Sequence, residues 1–170
     1  MTQKPRDQIW LFSGLFSSIF PRYRKGILTL EERLDDLLPD NETTTHFRIW
    51  NKWEKALEEI EGTMEEGGKL ILIGHSNGVY AALSIAKRYK GNVALLASVD
   101  RTLRPCPDAG RNIRYLLDLR ARLRRVRLGS DFVGTWELET LPRDVGHVEA
   151  MSNKRVHDRI VKRVSETLSN

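Results

Sequence analysis

The sequence predicts an α/β protein, a three-layer sandwich in which helices cover both faces of a mostly parallel central sheet. Short apolar runs bounded by Gly, Pro or charged residues alternate along the chain with stretches whose apolar residues recur at helical spacing. Such alternation is typical of parallel strands joined by helices. The stretch from Lys69 to Tyr89, KLILIGHSNGVYAALSIAKRY, supports the same fold class, because an apolar strand pattern there changes directly into a helical one.

Length and composition predict one ordinary globular domain spanning residues 1–170. The chain is 40% hydrophobic and 30% charged, which excludes the disordered and fibrous classes. The apolar run at 9–20 is diluted by serines and glycine and lacks a small-x-small cleavage site after it, so we interpret it as part of the domain and not as a signal peptide. The single cysteine, Cys106, excludes an internal disulfide and suits a reducing compartment. We therefore expect a cytoplasmic protein in which Cys106 is a buried or half-buried side chain.

Apolar and β-branched runs predict strands at 8–12, 43–48, 69–73 and 92–99. The stretch 112–119 fits either a strand or a helix, and a further short strand is expected at 125–128 or at 135–140. Thr29 and Glu32 form a capping box that predicts a helix opening at Thr29 and stopped by Pro39. An aromatic stripe predicts a second helix, and an amphipathic helix closes the chain. The stripe is Phe47, Trp50, Trp53, Leu57 and Ile60, and the closing helix is marked by Val156, Ile160, Val164 and Leu168.

Ser76 lies in Gly-His-Ser-Asn-Gly, where the strand at 69–73 passes into a helix that begins at Asn77. A serine on such a sharp turn adopts strained backbone geometry and exposes its hydroxyl above the sheet. The flanking glycines, Gly74 and Gly78, remove side chains that would collide with the neighbouring strand and helix. A Gly-x-Ser-x-Gly sequence is common by chance, but the strand before it and the small-residue helix after it are the context that the motif requires. We predict that Ser76 is a nucleophile.

A serine hydroxyl needs a base within hydrogen-bond reach to act as a nucleophile at neutral pH. The chain has four histidines. His46 falls on or beside an early strand, the side chain of His75 is expected to leave the turn in another direction, and His157 fits a solvated position of the last helix. His147 follows the last strand signals in a loop beside Gly146, where it can reach over the carboxyl edge of the sheet. We predict that His147 is the base.

The base needs a carboxylate that fixes its tautomer, and this carboxylate should lie between the serine and the histidine in chain order. Asp100 directly follows the strand at 92–99 and so reaches the carboxyl edge of the sheet. Asp118 would do the same if 112–117 is a strand, and two later aspartates fit turns better. We predict Asp100 as the acid, with Asp118 as the alternative.

Acyl transfer also requires two N–H donors for the oxyanion. The backbone N–H of Asn77, the residue after the predicted nucleophile, is one. The loop after the first strand carries Ser13-Gly14-Leu15. Gly14 permits a tight bend there, so we predict the N–H of Leu15 as the second donor.

Seven arginines lie between residues 111 and 127, in a chain whose net charge is +5. Such a cluster can bind phosphates, acidic lipid or nucleic acid. We favour a solvated arginine face, because no aromatic stacking platform or nucleic-acid motif accompanies it. Nucleic acid or an anionic membrane surface is therefore the less favoured partner. The arginines are Arg111, Arg114, Arg120, Arg122, Arg124, Arg125 and Arg127, and Leu116, Leu119, Leu123 and Val126 between them are expected to point inward.

The first strand ending in Ser-Gly-Leu, the Gly-His-Ser-Asn-Gly elbow, Asp100 after the next strand and the late Gly-His resemble the α/β-hydrolase superfamily. The similarity is to its small lipase-like and thioesterase-like members and runs from about residue 8 to residue 168. It implies a minimal α/β-hydrolase fold with a Ser76–His147–Asp100 triad. It also implies hydrolysis of a small-molecule carboxylic ester or thioester through an acyl-enzyme on Ser76, without a metal or organic cofactor.

The chain departs from larger members of that superfamily in three respects. The early antiparallel strands are missing, no insertion is long enough for a sizeable lid, and Ser13-Gly14 replaces the usual His-Gly of the oxyanion loop. Two other functions compete with hydrolysis. One is a non-catalytic hydrolase-like module that docks on an anionic partner through the arginine cluster. The other is a structural protein that keeps the elbow because it folds well.

Overall fold

A computed structural model of the chain describes residues 7–14, 21–37 and 43–170. The strands are β1 (Asp7–Ser13), β2 (Thr43–Ile49), β3 (Leu70–His75), β4 (Val93–Val99), β5 (Tyr115–Arg120) and β6 (Thr135–Thr140). The α-helices are α1 (Pro21–Asp35), α2 (Trp53–Thr63), α3 (Asn77–Arg88) and α4 (Lys154–Ser169). Short 3₁₀ helices span Trp50–Lys52 and Glu149–Ser152. Among the described residues, no helix combines the length and the apolar character needed to cross a bilayer.

The six strands form one sheet in the order β2-β1-β3-β4-β5-β6, and every neighbouring pair is parallel. This confirms the predicted fold class. The ambiguous stretch 112–119 contains β5, so it is a strand. Of the two positions expected for the last strand, 135–140 forms β6, whereas 125–128 contributes an isolated bridge between Ala109 and Leu128.

Helices cover both faces of the sheet, and each face has its own apolar core. α1 and α4 pack on one face, and α2 and α3 pack on the other. Along β1, Ile9 and Leu11 belong to the first core, whereas Trp10 and Phe12 belong to the second. The central strands β1, β3 and β4 are buried on both faces, which explains why their sequences are nearly continuous apolar runs and not alternating ones.

Two predicted helix starts are wrong. α1 begins at Pro21, so Thr29 and Glu32 lie inside the helix and do not form a capping box. Proline is favourable at a first helical position because its missing N–H would have no partner there. The aromatic stripe predicts a start for the second helix that lies too early in the chain. Phe47 belongs to β2 and Trp50 to the 3₁₀ helix before α2, which begins at Trp53.

α1 packs closely on the segment that follows His147. A Cβ atom at Gly26, in the middle of α1, would overlap the backbone carbonyl of Met151. The helix can therefore approach this segment only with a glycine at that position. α1 ends at Asp35, and Pro39, the predicted stop, lies outside the described residues.

The connections after β4 and β5 cross the sheet as irregular segments instead of helices. They span residues 100–114 and 121–134. Four of their small and apolar side chains are buried in the core on the α2 and α3 side, which confirms the expectation that Cys106 is buried. These side chains are Cys106, Ala109, Ile113 and Val126.

The strand order reverses between β1 and β3, and this reversal creates the site. The helix after β1 lies on one face and the helix after β3 on the other, so the chain diverges at the carboxyl edge and leaves a crevice there. Gly14 follows β1, Ser76 follows β3 and Asp100 follows β4. The topology therefore gathers these residues at one edge of the sheet.

The close packing of the elbow predicts a stability effect. A Cβ at Gly78 would overlap the carbonyl oxygen of Phe12 on β1, so Gly78→Ala must push α3 away from the sheet. We expect the variant to lose about 1–3 kcal/mol or more of unfolding free energy, measured by urea denaturation.

Gly62 in α2 is the matched control, because an added Cβ there meets no atom within 4 Å. Gly62→Ala should stabilise the protein by about 0.4–1 kcal/mol, since it lowers the conformational entropy of the unfolded chain. A Gly78→Ala variant as stable as the parent protein would contradict the close approach of α3 to β1.

Candidate active site

Ser76 occupies the sharp turn between β3 and α3. Its φ of 56° and ψ of −120° lie outside the regions that non-glycine residues favour. The turn leaves no space for side chains on either side, since a Cβ at Gly74 would lie 2.5 Å from the carbonyl oxygen of Gly78. The Ser76 N–H donates to the carbonyl of Val99 at 3.1 Å. The strained turn is thus fixed to the end of β4.

Three side chains from separate loops meet at this turn. The Oγ of Ser76 lies 2.9 Å from Nε2 of His147, and Nδ1 of His147 lies 2.7 Å from Oδ2 of Asp100. With its proton on Nδ1, the imidazole donates to the carboxylate and presents Nε2 as acceptor to the serine hydroxyl. The Asp100 side chain is fully buried, whereas the His147 side chain is 21% exposed. The structure therefore brings together the residues predicted as nucleophile, base and acid.

Asp100 is held by the backbone of the segment that follows β5. Its Oδ1 accepts the N–H groups of Ala121, Arg122 and Leu123, each at 2.9 Å. Burial opposes ionisation of this carboxyl, but the hydrogen bonds from His147, Leu123 and Arg122 outweigh burial and hold the pKa of Asp100 below its ordinary value. Asp100 is therefore negatively charged at neutral pH and fixes the tautomer of the imidazole.

Asp118, the alternative acid, makes a different set of contacts. It lies on β5 beside Ser98 of β4, is fully buried, and its Oδ2 accepts the N–H of Val126 at 2.8 Å. Burial raises the pKa of the Asp118 carboxyl above its ordinary value. In the structure, His147 pairs with Asp100, whereas Asp118 accepts a hydrogen bond from the backbone of the 121–134 connection.

His75 contacts the predicted base, which corrects the expectation that its side chain leaves the turn in another direction. Its Nε2 donates to the carbonyl oxygen of His147 at 2.8 Å, and the two rings stack with centroids 4.8 Å apart. Burial and then the neighbouring His147 lower the pKa of His75 to about 3, so this imidazole is neutral at physiological pH. Sequence reasoning missed this contact, although the position of His75 beside Ser76 was the available signal.

Of the two residues predicted to donate to an oxyanion, the structure describes Asn77 but not Leu15. Asn77 is the first residue of α3, so its N–H has no acceptor within the helix. Gly14 lies against the serine, because an added Cβ would be 2.8 Å from the Cβ of Ser76 and 3.1 Å from its Oγ. Leu15, the predicted second donor, lies outside the described residues.

His157 is buried, which corrects its assignment to a solvated helix position. The residue is 3% exposed, and its Nε2 donates to the carbonyl of Met151 at 2.7 Å. This bond joins α4 to the 3₁₀ helix that follows His147. Of the other histidines, His46 lies on β2 and stacks on Trp10 with ring centroids 4.2 Å apart.

This arrangement has the elements needed for nucleophilic catalysis. A hydroxyl bonded to an imidazole, whose other nitrogen is held by a buried carboxylate, can deliver an oxygen nucleophile to a carbonyl carbon. Within the part of the chain that the structure describes, no three His, Cys, Asp or Glu side chains are grouped to hold a metal ion.

The parallel six-stranded sheet with helices on both faces is that of a minimal α/β-hydrolase-like fold. The predicted fold is confirmed. No protein-family profile and no curated protein sequence matches the chain.

Two solved structures are similar to this chain. One, a candidate hydrolase of the alpha/beta superfamily from Xanthomonas campestris pv. campestris, is 17% identical with a TM-score of 0.54, over 93% of this chain and 99% of that chain. The other comes from work on LipS and LipT, two metagenome-derived lipolytic enzymes. It is 11% identical with a TM-score of 0.61, over 99% of this chain and 96% of that chain. At these identities, the likeness shows a shared fold.

The buried His75 predicts how stability depends on pH. The unfolded chain binds a proton on this histidine near the ordinary pKa of 6.5, whereas the folded protein does so only near 3. As pH falls through this window, the unfolded state takes up the extra proton and the unfolding free energy decreases. Between pH 7 and pH 5, we expect His75 to account for a loss of about 2 kcal/mol.

His75→Gln removes the titrating group and keeps an N–H donor, so it should lose this part of the pH dependence. Urea denaturation of both proteins at pH 7 and pH 5 measures the difference. At pH 7 the imidazole is mostly neutral in both states, which makes that pH the internal control. The same loss of stability in both proteins would contradict a depressed pKa.

Proposed function

We propose that this protein is a serine hydrolase that cleaves a carboxylic ester or thioester through an acyl-enzyme on Ser76. The observation that carries the proposal is the continuous hydrogen-bonded chain from Ser76 Oγ through His147 to Asp100. The strained backbone at Ser76 is a second support, because strain of this kind is concentrated at functional sites. The structural likeness to lipolytic enzymes agrees with the same class of reaction.

In the proposed reaction, Ser76 Oγ attacks the substrate carbonyl carbon while its proton passes to Nε2 of His147. The negative charge of the tetrahedral intermediate is stabilised by the N–H of Asn77 and, as we propose, by that of Leu15. The intermediate then expels the alcohol or thiol, which takes the proton from His147. Water then attacks the carbonyl carbon of the acyl-enzyme with His147 again as base. The product carboxylic acid leaves, and Ser76 Oγ regains its proton from His147. The negative charge of Asp100 stabilises the imidazolium in both halves.

Labelling of the nucleophile tests the proposal directly. A fluorophosphonate probe should modify Ser76, as located by peptide mass mapping, because only an activated serine attacks the probe phosphorus. Ser76→Ala should abolish labelling and lower the turnover of a short p-nitrophenyl ester by at least about a thousand-fold.

The exposed Ser130 provides a control. Ser130→Ala also removes a serine hydroxyl, but from a residue that is distant from the elbow in sequence. This variant should label and turn over as the parent protein does. Labelling of a serine other than Ser76, or full activity of Ser76→Ala, would refute the proposal.

The two buried aspartates provide a test of the acid. Asp100→Asn should lose at least about a hundred-fold in turnover, because the amide does not stabilise an imidazolium and can hold the wrong tautomer. Asp118→Asn, a matched change on a neighbouring strand, should lose less than about ten-fold. These losses correspond to barrier increases of about 2.7 and 1.4 kcal/mol.

Both aspartate variants should be compared per mole of folded protein, as determined by circular dichroism. The reverse ranking would transfer the role of the acid to Asp118. Equally small losses in both variants would indicate that Ser76 and His147 work without a carboxylate.

A further inference from the structure

A cavity of about 530 Å³ lies between the 100–114 and 121–134 connections, and arginines dominate its lining. Among the described residues, no acidic side chain lines it. Both connections follow strands at the carboxyl edge of the sheet, so the cavity lies on the same edge as Ser76. The lining arginines are Arg101, Arg120, Arg124, Arg125 and Arg127.

The positive charge of this lining is mostly not neutralised by the protein. Arg127 pairs with Asp108 at 2.8 Å. Within the described part of the chain, the other four arginines make no ion pair with a carboxylate. Arg124 and Arg125 are exposed at the cavity, so a ligand can reach their guanidinium groups.

Arg101 shows that the cavity is built into the fold and is not a chance gathering of surface side chains. It is only 4% exposed, and its Nη1 and Nη2 donate to the carbonyls of Arg125 at 3.0 Å and Arg104 at 3.3 Å. Its buried Nε has no hydrogen-bond partner among the described residues. Burial of a cation without a counter-ion is costly, and an anion in the cavity would remove that cost.

Asp118 only partly provides this counter-ion. The charges of Arg101 and Arg120 favour ionisation of its carboxyl, but burial is the larger effect and raises its pKa. Even when ionised, Asp118 carries one negative charge, against four lining arginines that make no ion pair among the described residues. The balance of charge around the cavity therefore remains positive.

The walls of the cavity are held in place. Arg104 lies over the rings of Trp50 and Tyr80, with its Cζ 4.8 Å and 4.5 Å from the two ring centroids, which fixes the first connection on the α2 and α3 side. On the second connection, the N–H of Leu123, a lining residue, donates to Asp100. These contacts hold the two connections in place, so ligand binding does not have to order their backbone.

We propose that this cavity binds the phosphate group of a small molecule. The guanidinium fork matches the oxygens of a phosphate in two parallel hydrogen bonds, and four unpaired cations favour a group that carries more than one negative charge. The concave shape and the absence of aromatic side chains among the lining residues favour a small molecule over a nucleic-acid strand, which would need a stacking platform. This binding does not depend on ester hydrolysis.

Isothermal titration with inorganic phosphate and with pyrophosphate at low ionic strength tests the proposal. The parent protein and Ser76→Ala should both bind pyrophosphate saturably with one site per chain, and salt should weaken binding. Use of Ser76→Ala separates this result from the proposed hydrolase activity.

The double variant Arg124→Gln, Arg125→Gln should weaken pyrophosphate binding by at least about ten-fold. The double variant Arg111→Gln, Arg114→Gln is the matched control, because it removes the same charge from exposed positions outside the lining of this cavity. It should bind within about two-fold of the parent protein. All four substitutions are at exposed positions, and unchanged thermal unfolding confirms that the variants fold.

Three results would overturn the proposal. One is the absence of saturable pyrophosphate binding by the parent protein. Another is an equal loss in both double variants, which would indicate general attraction to a basic surface. The third is binding to anionic vesicles or to an oligonucleotide that pyrophosphate does not displace.

Discussion

The ionised carboxylate of Asp100 is the constraint on which the rest of the candidate site depends. It is fully buried, and its charge is compensated by three backbone N–H groups of residues 121–123 and by Nδ1 of His147. Through these bonds, one side chain at the end of β4 fixes the segment after β5 and the loop that carries His147. A left-handed backbone, with φ of 43°, accompanies this position. An apolar or neutral residue there would leave three partly buried N–H groups without a charged acceptor.

The irregular connection after β5 meets the same constraint. Its first three residues turn consecutive N–H groups onto one carboxylate oxygen of Asp100. The apolar residues of this segment, such as Val126, still cover the sheet, while its arginines remain outside. The connection that holds the Asp100 carboxylate therefore also lines part of the basic cavity.

Sequence reasoning succeeded where the signal is local and failed where it depends on packing. The central strands β1, β3 and β4 follow from apolar runs, and the elbow follows from Gly74 and Gly78, whose backbone neighbours exclude a side chain. The start of α1 did not follow from the sequence. Thr29 and Glu32 have the residue types and spacing of a capping box, but the same pattern also occurs inside a helix, as it does here. His157 lies between Val156 and Asp158 in a charged stretch of the sequence, yet its side chain is buried against the 3₁₀ helix. The pairing of Asp100 with His147 was predicted from chain order and from the position of Asp100 directly after a strand, whereas its three N–H donors come from residues that no motif marks.

The neutral state of His75 bears directly on the proposed reaction. Its ring stacks on the ring of His147, so a proton on His75 would place a second positive charge beside the imidazolium that forms when Ser76 loses its proton. Such a charge would oppose proton transfer and work against Asp100. Burial keeps His75 uncharged, and the neutral ring can still donate one hydrogen bond to the carbonyl of His147. The residue can therefore position the base without opposing the charge that the base must carry, which a lysine or arginine at this position could not do.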